Sequence, residues 1–490
     1  MADIALDDST VDSMVALVTA LDGLPLAVEL VAATAHARPI GELVESVQEH
    51  VGGRAAAARG RAPRHVSLNA AIDWSVSQLD ELHRHALAAL SCATSPIAKR
   101  TVIAALASLG VGDDADSLLG TLSARCLLVQ DPHTDTVRLY ETVQAFAQQM
   151  PELNATRSGV VGALVDDCVD ACGDIIAVGR SIGHDAARVA PTGMRLLYDE
   201  TVPGAQRQRL AFAFATWLTD TSPHRALDIL ARALAWDDSD PVLLARLHIG
   251  LSLVHGFLGE TSQSDSVADG AEPLVESTKD GELRIELEQL RTRNLMMRGG
   301  AVQAGDAAER ALTDPTLSQA ARSRWTTILA VARAWHGDHE AAVRVLTHAL
   351  VNAEQETQTA WRMLLAPAQL AIGQHQEALR TAVTGLDHAT PLQRMNLDET
   401  ISRAVCHLHP SSLHLGLWLR TIENLTRGGW YVSPQEMTER TTFLDHMHAT
   451  LGSDALADAE RIVKTLDNDT VHEMIERLGR QALNECEPRS

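Results

Sequence analysis

The sequence predicts a mainly α-helical fold that ends in an α-solenoid, a superhelix of stacked helix pairs. Aromatic residues make up only 3% of the chain although 46% of it is hydrophobic, so alanine, leucine and valine have to fill the core. This composition favours close-packed helices over β-sheet, which prefers aromatic and β-branched residues. From about residue 156 onward nearly all of the chain has helical periodicity, and glycine-centred turns recur in it at similar spacing.

Length, charge and cysteine content narrow the classes of protein. The 490 residues suggest about three domains, unless repeats merge them into one array. A formal net charge of −23 repels phosphate backbones, which disfavours a general nucleic-acid role. Six scattered cysteines do not form a disulfide framework, and neither a signal peptide nor an apolar run of the ~20 residues that span a bilayer is present. We therefore expect a cytoplasmic protein that has no membrane partner.

The first predicted domain, residues 1–55, is a short helical segment. Residues 8–21 form a helix, and its apolar side chains share one face: Val11, Met14, Val15 and Val18. In the next stretch, Leu21–Ala33, a turn at Gly23 precedes Pro25, which fits the first turn of a helix because its missing N–H has no partner there. An alanine-rich helix then runs on to about Ala35, and another amphipathic helix covers residues 40–51.

The second predicted domain, residues 56–155, begins in an arginine-rich linker and combines helices with a hairpin. Helices are predicted over 67–75, 79–93, 99–109, 113–125 and 141–150. Before the last helix the period changes to that of strands at 127–130 and 136–139, with a turn between them. Helices followed by a hairpin and a closing helix are typical of a winged helix.

The third and fourth predicted domains, residues 156–410 and 411–490, are helical repeats and a helical cap. Two stretches share a helix, a glycine turn and a second helix that opens with Glu-Ala, and their glycines are Gly337 and Gly373. Weaker copies turn at Gly300 and Gly259. Spacings of 36, 37 and 41 residues with small residues at the helix crossings resemble tetratricopeptide (TPR) repeats. Such pairs cannot bury their faces alone, so they stack into a superhelix.

Four short motifs resemble one known family. The segments are GLPLA at 23–27, AIDWS at 71–75, LSARCLLV at 122–129 and LYETVQAFA at 139–147. They are similar to segments of the NB-ARC type of STAND ATPases, in the form carried by bacterial AfsR/LuxR-type transcriptional regulators. This resemblance implies an ARC-like segment, a winged helix and a TPR-like sensor.

The resemblance also implies residual nucleotide-side positions. In that family the proline of GLPLA lies beside the bound nucleotide, which points to Gly23 and Pro25. The segment at 139–147 stands where other NB-ARC proteins carry their MHD motif. Tyr140 therefore stands in the place of the sensor histidine, and Glu141 in that of the aspartate.

The phosphate-binding core of such an ATPase is missing from this sequence. A P-loop needs a glycine directly before a lysine, and here Lys99, Lys279 and Lys464 follow alanine, threonine and valine. No apolar strand that ends in acids supplies a Walker B motif. We therefore predict no enzyme activity and no cofactor, with ADP or ATP bound only if a missing or partner P-loop domain contributes.

A DNA-binding role for the winged helix is a weaker alternative. The helix in the recognition position carries Asp113, Asp114 and Asp116, which would face phosphates. Arg61 and Arg64 belong to the one basic cluster and are the candidate nucleic-acid contacts. The simpler interpretation is that this cluster is a solvated linker.

Other motifs have simpler structural explanations. Cys168 and Cys172 lie one helical turn apart, as metal ligands do, but no second pair follows, so we expect buried thiols. Four tryptophans in the repeats are expected to anchor their core, with a role in a peptide groove as the alternative: Trp325, Trp335, Trp361 and Trp418.

The favoured function is that of a non-catalytic regulatory and interaction protein. It would correspond to the sensor half of a STAND-type regulator and bind a protein or peptide through the concave face of its repeats. A nucleotide-binding domain in another chain is a second expected partner, since the chain begins just before the GLPLA motif. The first alternative is an ATP- or ADP-responsive switch, and the second is DNA binding through the winged helix.

Overall fold

The computed structural model of the chain describes residues 8–21, 24–33, 42, 44–47, 63–173, 186–236, 240–427, 432–452, 454–464 and 466–486. These residues form helices almost throughout, with one small sheet, so the prediction of a mainly α fold with an α-solenoid is confirmed. The chain divides into two compact units. The first unit contains residues 1–171 and 184–206, and the second contains residues 172–183 and 207–490.

The described residues of the first unit form a three-stranded sheet and helices, of which nine have defined bounds, while residues 42 and 44–47 are also helical. The helices are α1 Asp8–Ala20, α2 Pro25–Ala32, α3 Pro63–Ser77, α4 Glu81–Leu90, α5 Lys99–Ala107, α6 Ala115–Ala124, α7 Glu141–Ala147, α8 Pro151–Cys172 and α9 Ala186–Tyr198. The strands are β1 Ile97–Ala98, β2 Leu128–Asp131 and β3 Thr136–Leu139, and a 3₁₀ turn at Gly112–Asp114 precedes α6.

A small apolar core holds α2, the helix of the GLPLA motif. Pro25 is its first residue, as predicted, and α2 packs against α3. Trp74 of α3 is buried in the same cluster as Ala27 and Val31, and its indole N–H donates to the Ser46 hydroxyl at 3.1 Å. Two of the motifs that carry the family resemblance thus share one core.

The sheet is antiparallel, with β3 between β1 and β2. Leu128 pairs with Leu139 and Ile97 pairs with Val137, and all four side chains are buried. The predicted hairpin is therefore present, within one residue of its expected bounds. The sequence did not indicate β1, because a strand of two residues has no detectable alternation.

Helices α8 and α9 belong to the first unit. The guanidinium of Arg100 on α5 donates to the Asp167 carboxylate on α8 at 2.6 Å, and the Thr101 hydroxyl donates to the other oxygen of that carboxylate at 2.8 Å. The backbone N–H of Thr94 donates to the Thr192 hydroxyl on α9 at 2.9 Å. These contacts join both helices to the sheet region, and the division into four domains at residues 55, 155 and 410 stays a prediction.

The second unit is built from helices alone among its described residues. After α10 Gly204–Thr221 and α11 Pro223–Leu234 come α12 Pro241–Phe257, α13 Thr261–Thr278, α14 Gly281–Met297, α15 Ala301–Ala311, α16 Gln319–Trp335, α17 His339–Leu350, α18 Gln355–Ala371 and α19 His375–Gly385. A 3₁₀ turn at Leu386–His388 precedes α20 Pro391–Leu408, α21 Ser412–Arg427, α22 Pro434–Leu451, α23 Asp454–Val463 and α24 Asn468–Cys486.

Local sequence explains where these helices begin. A side-chain oxygen of the residue before the helix accepts a backbone N–H from its first turn, which satisfies a donor that has no partner within the helix. The residues that cap in this way include Asp240, Asp280, Ser318, Asp338, Thr390, Ser411, Ser433 and Asp467. At Thr390 and Ser433 the cap is a full capping box.

Glycines with positive φ follow the first helix of four successive repeat pairs, after α12, α14, α16 and α18. Gly259, Gly337 and Gly373 have φ of 76°, 88° and 79°, as the predicted turns require. The turn expected at Gly300 instead places the left-handed residue at Gly299, with φ of 91°, while Gly300 caps α15 at φ of −82°. A Cβ on Gly300 would lie 2.7 Å from a methyl carbon of Leu295, so this turn needs both glycines for different reasons.

The C-terminal helix α24 packs on the end of the solenoid. Gly479 lies against α19 and α20, and a Cβ there would lie 2.9 Å from Ile401 and 3.1 Å from Val383. A helix usually gains stability from replacing glycine by alanine. At Gly479 the steric cost of placing a methyl group so close to α19 and α20 outweighs that gain in helix stability.

We expect Gly479→Ala to lower the free energy of unfolding of the second unit by about 1–3 kcal/mol, because the added methyl group overpacks the contact with Ile401 and Val383. Gly281→Ala is the matched control, since a Cβ there meets nothing within 4 Å. Urea unfolding followed by circular dichroism measures both. Equal stability of the two variants would contradict this account of the packing.

Candidate functional site

A cavity of about 450 Å³ lies on the inner face of the solenoid. Its lining comes mainly from one stripe on each of α12, α14, α16, α18 and α20, which we call the inner helices. On α16, for example, Arg324, Ile328, Val331 and Trp335 line it at the spacing of one helical face. Among the described residues, the second helices of these pairs (α13, α15, α17 and α19) contribute no lining residue.

Side-chain hydrogen bonds hold neighbouring inner helices in register. The Gln289 amide on α14 donates to the Ala321 carbonyl on α16 at 2.8 Å, and the Trp361 indole on α18 donates to the Thr327 hydroxyl on α16 at 2.9 Å. Such bonds cross between repeats where the backbone offers none. The two bonds fix α16 relative to α14 on one side and α18 on the other, and they thereby position the residues of α16 that line the cavity.

Apolar side chains cover most of the cavity wall. The apolar lining residues are Ile249, Leu253, Phe257, Leu290, Met296, Met297, Ile328, Val331, Trp335, Ala360, Met363, Leu364, Pro367, Leu392, Leu425 and Val432. Three of them are methionines, whose unbranched, polarizable side chains adapt to differently shaped neighbours. A wall of this kind can contact apolar groups of different shapes.

One group of charges in the wall centres on Glu286, whose side chain is only 5% exposed. Its carboxylate lies 3.4 Å from the Arg246 guanidinium and 3.8 Å from that of Arg324. Arg324 also donates to the Gln289 amide oxygen at 2.6 Å. Pairing offsets the desolvation cost that these buried charges would otherwise carry.

A second group joins α20 to α22. Arg440 on α22 makes two hydrogen bonds to the Glu399 carboxylate, at 3.1 and 2.8 Å, in the fork geometry that strengthens such pairs. Burial acts to lower the pKa of Arg440, but the hydrogen bonds to Glu399 and the charges of Glu399, Glu436 and Glu439 together outweigh it and raise that pKa. On the same helix Glu439 lies 3.4 Å from His339 of α17, and this histidine lowers the pKa of Glu439 against the effect of burial.

A cation–π contact forms another part of the wall. The Arg293 guanidinium lies 4.2 Å from the centre of the Phe257 ring. A Cβ on Gly256 would lie 3.2 Å from that guanidinium, so glycine leaves it room. The cation is thus covered by an aromatic face.

Three histidines from three helices stack beside this wall. The ring of His407 on α20 lies 4.3 Å from that of His375 on α19 and 5.4 Å from that of His446 on α22. Burial, together with the charges of His375, His446 and Arg403, lowers the pKa of His407 to about 4. Burial also lowers the pKa of His375. No sequence motif indicated this stack, because its members are far apart along the chain.

The predicted nucleotide-side positions belong to the first unit and are not among the residues that line this cavity. Pro25 is exposed, Tyr140 is half-buried before α7, and Glu141 is the exposed first residue of α7. Helix α3 contacts both α2 and α7 and so links the two helices that carry these residues. Gly23 lies outside the described residues. A nucleotide-side role for Gly23, Pro25, Tyr140 and Glu141 remains a prediction.

The predicted nucleic-acid contacts also remain predictions. Arg61 lies outside the described residues, as does the side chain of Arg64, which belongs to α3. Asp113, Asp114 and Asp116 are exposed at the start of α6, as expected. The Asp116 carboxylate lies 3.1 Å from the Lys99 ammonium.

The tryptophans divide between core and cavity. Trp325, Trp361 and Trp418 are buried, in agreement with a structural role, while Trp335 is half-buried and lines the cavity. Cys168 and Cys172 are buried thiols that form no disulfide. In the part of the chain that the structure describes, no cluster of three or more potential ligands could hold a metal ion, and no helix is long and apolar enough to cross a membrane.

Comparison with solved structures finds a STAND (signal transduction ATPase with numerous domains) protein with a tetratricopeptide repeat sensor from Pyrococcus horikoshii. It is 11% identical, with a TM-score of 0.44, and the match covers 93% of this chain and 75% of that one. No protein-family model and no curated protein matches the sequence. Similarity at this level does not assign a function.

We expect Arg440→Met to lower the free energy of unfolding of the second unit by about 3 kcal/mol, because it removes both hydrogen bonds of Arg440 to the buried Glu399 carboxylate and leaves only Arg403 at 3.9 Å. The matched control is Arg344→Met, which breaks an exposed pair with Glu340 and should cost at most about 1 kcal/mol. Denaturant unfolding measures both. Similar losses in the two variants would contradict a stabilising role for the α20–α22 pair.

The histidine stack predicts a dependence of stability on pH. The pKa of His407 is lower in the folded chain than the ordinary value of 6.5, so its contribution is present above pH 6.5 and is lost as the pH falls through about 4. Because the ring is only half-buried and solvent screens its charge, we expect about 1 kcal/mol over this window. His407→Gln should lose less stability than the wild type between pH 6.5 and 4, and parallel curves would exclude this contribution.

Proposed function

We propose that this protein is a non-catalytic regulatory protein whose solenoid binds a protein or peptide partner. The observation that supports the proposal is the shared inner face of α12, α14, α16, α18 and α20, which presents apolar side chains and paired charges along five successive helix pairs. Helical-repeat proteins use extended concave faces of this kind for binding.

We further propose that the chain corresponds to the sensor half of an AfsR/LuxR-type STAND regulator that acts in the cytoplasm. Its ARC-like segment, residues 1–55, would contain α1 and α2, and its winged helix, residues 56–155, would contain α3–α7 with the three-stranded sheet. The shared core of Trp74 and the GLPLA helix supports this assignment, since both belong to segments that carry the resemblance.

A nucleotide-binding domain in another chain is a second proposed partner, and the exposed face of α1 supports it. Val11, Val15 and Val18 follow one another at helical spacing and are 45%, 61% and 42% exposed. Apolar side chains that share an exposed helix face are typical of an interaction surface. Helix α1 would bind the nucleotide-binding domain by burying these valines in the interface.

We propose no catalytic activity for this chain, because the sequence contains neither P-loop nor Walker B motif. The purified chain with Mg²⁺ and ATP should release phosphate at the rate of buffer alone. Calorimetric titration should show no ADP binding at micromolar concentration. Turnover that disappears in Pro25→Ala, or micromolar ADP binding, would instead support the nucleotide-responsive switch.

Peptide selection tests the proposed partner surface. Peptides selected from a phage-displayed library on the full chain should bind at least tenfold more weakly to Leu253→Arg and Met297→Arg, because both side chains line the inner face. Val302→Arg on the outer helix α15 is the control and should leave the affinity unchanged, since Val302 is 40% exposed outside the cavity. Fluorescence polarisation gives the affinities. Unchanged binding to both inner-face variants would refute this location.

A further inference from the structure

We propose that the cavity on the inner face is a binding site for an uncharged amphipathic small molecule of about 20–30 non-hydrogen atoms. This goes beyond the proposed function, because it assigns a small-molecule site that stands whether or not a protein binds the solenoid. Size, wall chemistry and charge pairing support it independently.

The volume indicates the size of the ligand. Small-molecule sites in proteins range from roughly 300 to 1,000 Å³, and the cavity of about 450 Å³ lies in the lower part of that range. The space thus fits one compact molecule.

The wall indicates an apolar ligand body. Trp335 and Phe257 provide aromatic surface, and Met296, Met297 and Met363 provide adaptable side chains around them. Burial of apolar ligand surface would supply most of the binding free energy. Hydrogen-bonding groups in the wall would then orient the ligand.

The charges of the wall argue against an ionic ligand. Four arginines and five carboxylates are among the lining residues, so the two signs nearly balance. The arginines lie against partners: Arg324 near Glu286, Arg440 on Glu399, Arg403 at 3.9 Å from Glu399 and Arg293 over Phe257. An anionic ligand would have to displace Glu286 or Glu399 to reach Arg324, Arg403 or Arg440, and leaving a buried carboxylate unpaired is costly. An uncharged ligand can accept or donate hydrogen bonds at these pairs without breaking them.

The site joins two parts of the second unit. Five inner helices supply most of the lining, and α22 adds Glu436, Glu439 and Arg440. Helix α22 reaches α17 and α20 through the polar contacts of Glu439 and Arg440. A bound molecule would therefore contact both the inner helices and α22. Its apolar contacts would add to the polar contacts that Glu439 and Arg440 already make between these helices.

A matched pair of fluorescent probes tests the site on the full chain. N-phenyl-1-naphthylamine is uncharged and amphipathic, and 8-anilino-1-naphthalenesulfonate is the same ring system with a negative charge. We expect the uncharged probe to bind saturably at one molecule per chain and the sulfonate to bind at least tenfold more weakly. Equal affinities, or binding without saturation, would overturn the proposal.

Two cavity-filling variants locate the probe. Leu253→Trp on α12 and Asn396→Trp on α20 place a bulky ring in the cavity from different helices, and each should weaken binding of the uncharged probe at least tenfold. Val302→Trp and Val351→Trp are the controls, because both valines are exposed outside the lining, and they should change the affinity less than twofold. Circular dichroism melting confirms that each variant is folded. Unchanged binding in either folded cavity variant would overturn the proposal.

The two hypotheses fail in different ways. If the uncharged probe does not bind while selected peptides bind the inner face, the small-molecule site is refuted and the proposed function stands. If the probe binds as expected and no peptide can be selected, the small-molecule site stands and the partner surface is refuted.

Discussion

The second unit depends on the close packing of helix pairs that cannot bury their apolar faces alone. Small side chains allow this approach, as at Ala304, Ala308 and Ala332, which are fully or almost fully buried between α15 and α16 or their neighbours. Each pair therefore completes its core only by stacking on the next one. The inner face is a consequence of this stacking, because the first helix of every pair points the same stripe inward.

Pairing of buried charges is the second constraint on the inner face. Glu286 and Glu399 each lie almost buried in a protein of strongly negative net charge, and each is held by arginines from another helix. Removing such groups from water is unfavourable unless a partner of opposite sign is in place. The charge pairs thus favour one arrangement of α14 with α16 and of α20 with α22. Apolar side chains cover the rest of the cavity wall.

The sequence predicted local structure well where one residue type has one physical role. Pro25 begins α2, glycines of positive φ separate the repeat helices, and the hairpin lies within a residue of its expected place. The sequence pattern predicted one of these turns at Gly300, whereas the residue that adopts the left-handed conformation is Gly299. Two adjacent glycines are equivalent in a sequence pattern, and only the contact of Gly300 with Leu295 distinguishes them.

The sequence by itself determined that the chain is helical, repetitive, acidic and without a phosphate-binding loop, because composition, periodicity and motif spacing are local properties. Only the tertiary structure decided which residues meet. It brought His375, His407 and His446 into one stack, exposed the valine face of α1, and turned one stripe from each of five helices into a cavity. The physical reason is that these contacts join residues tens to more than a hundred positions apart, and the packing angle between helices has no local signature in the chain.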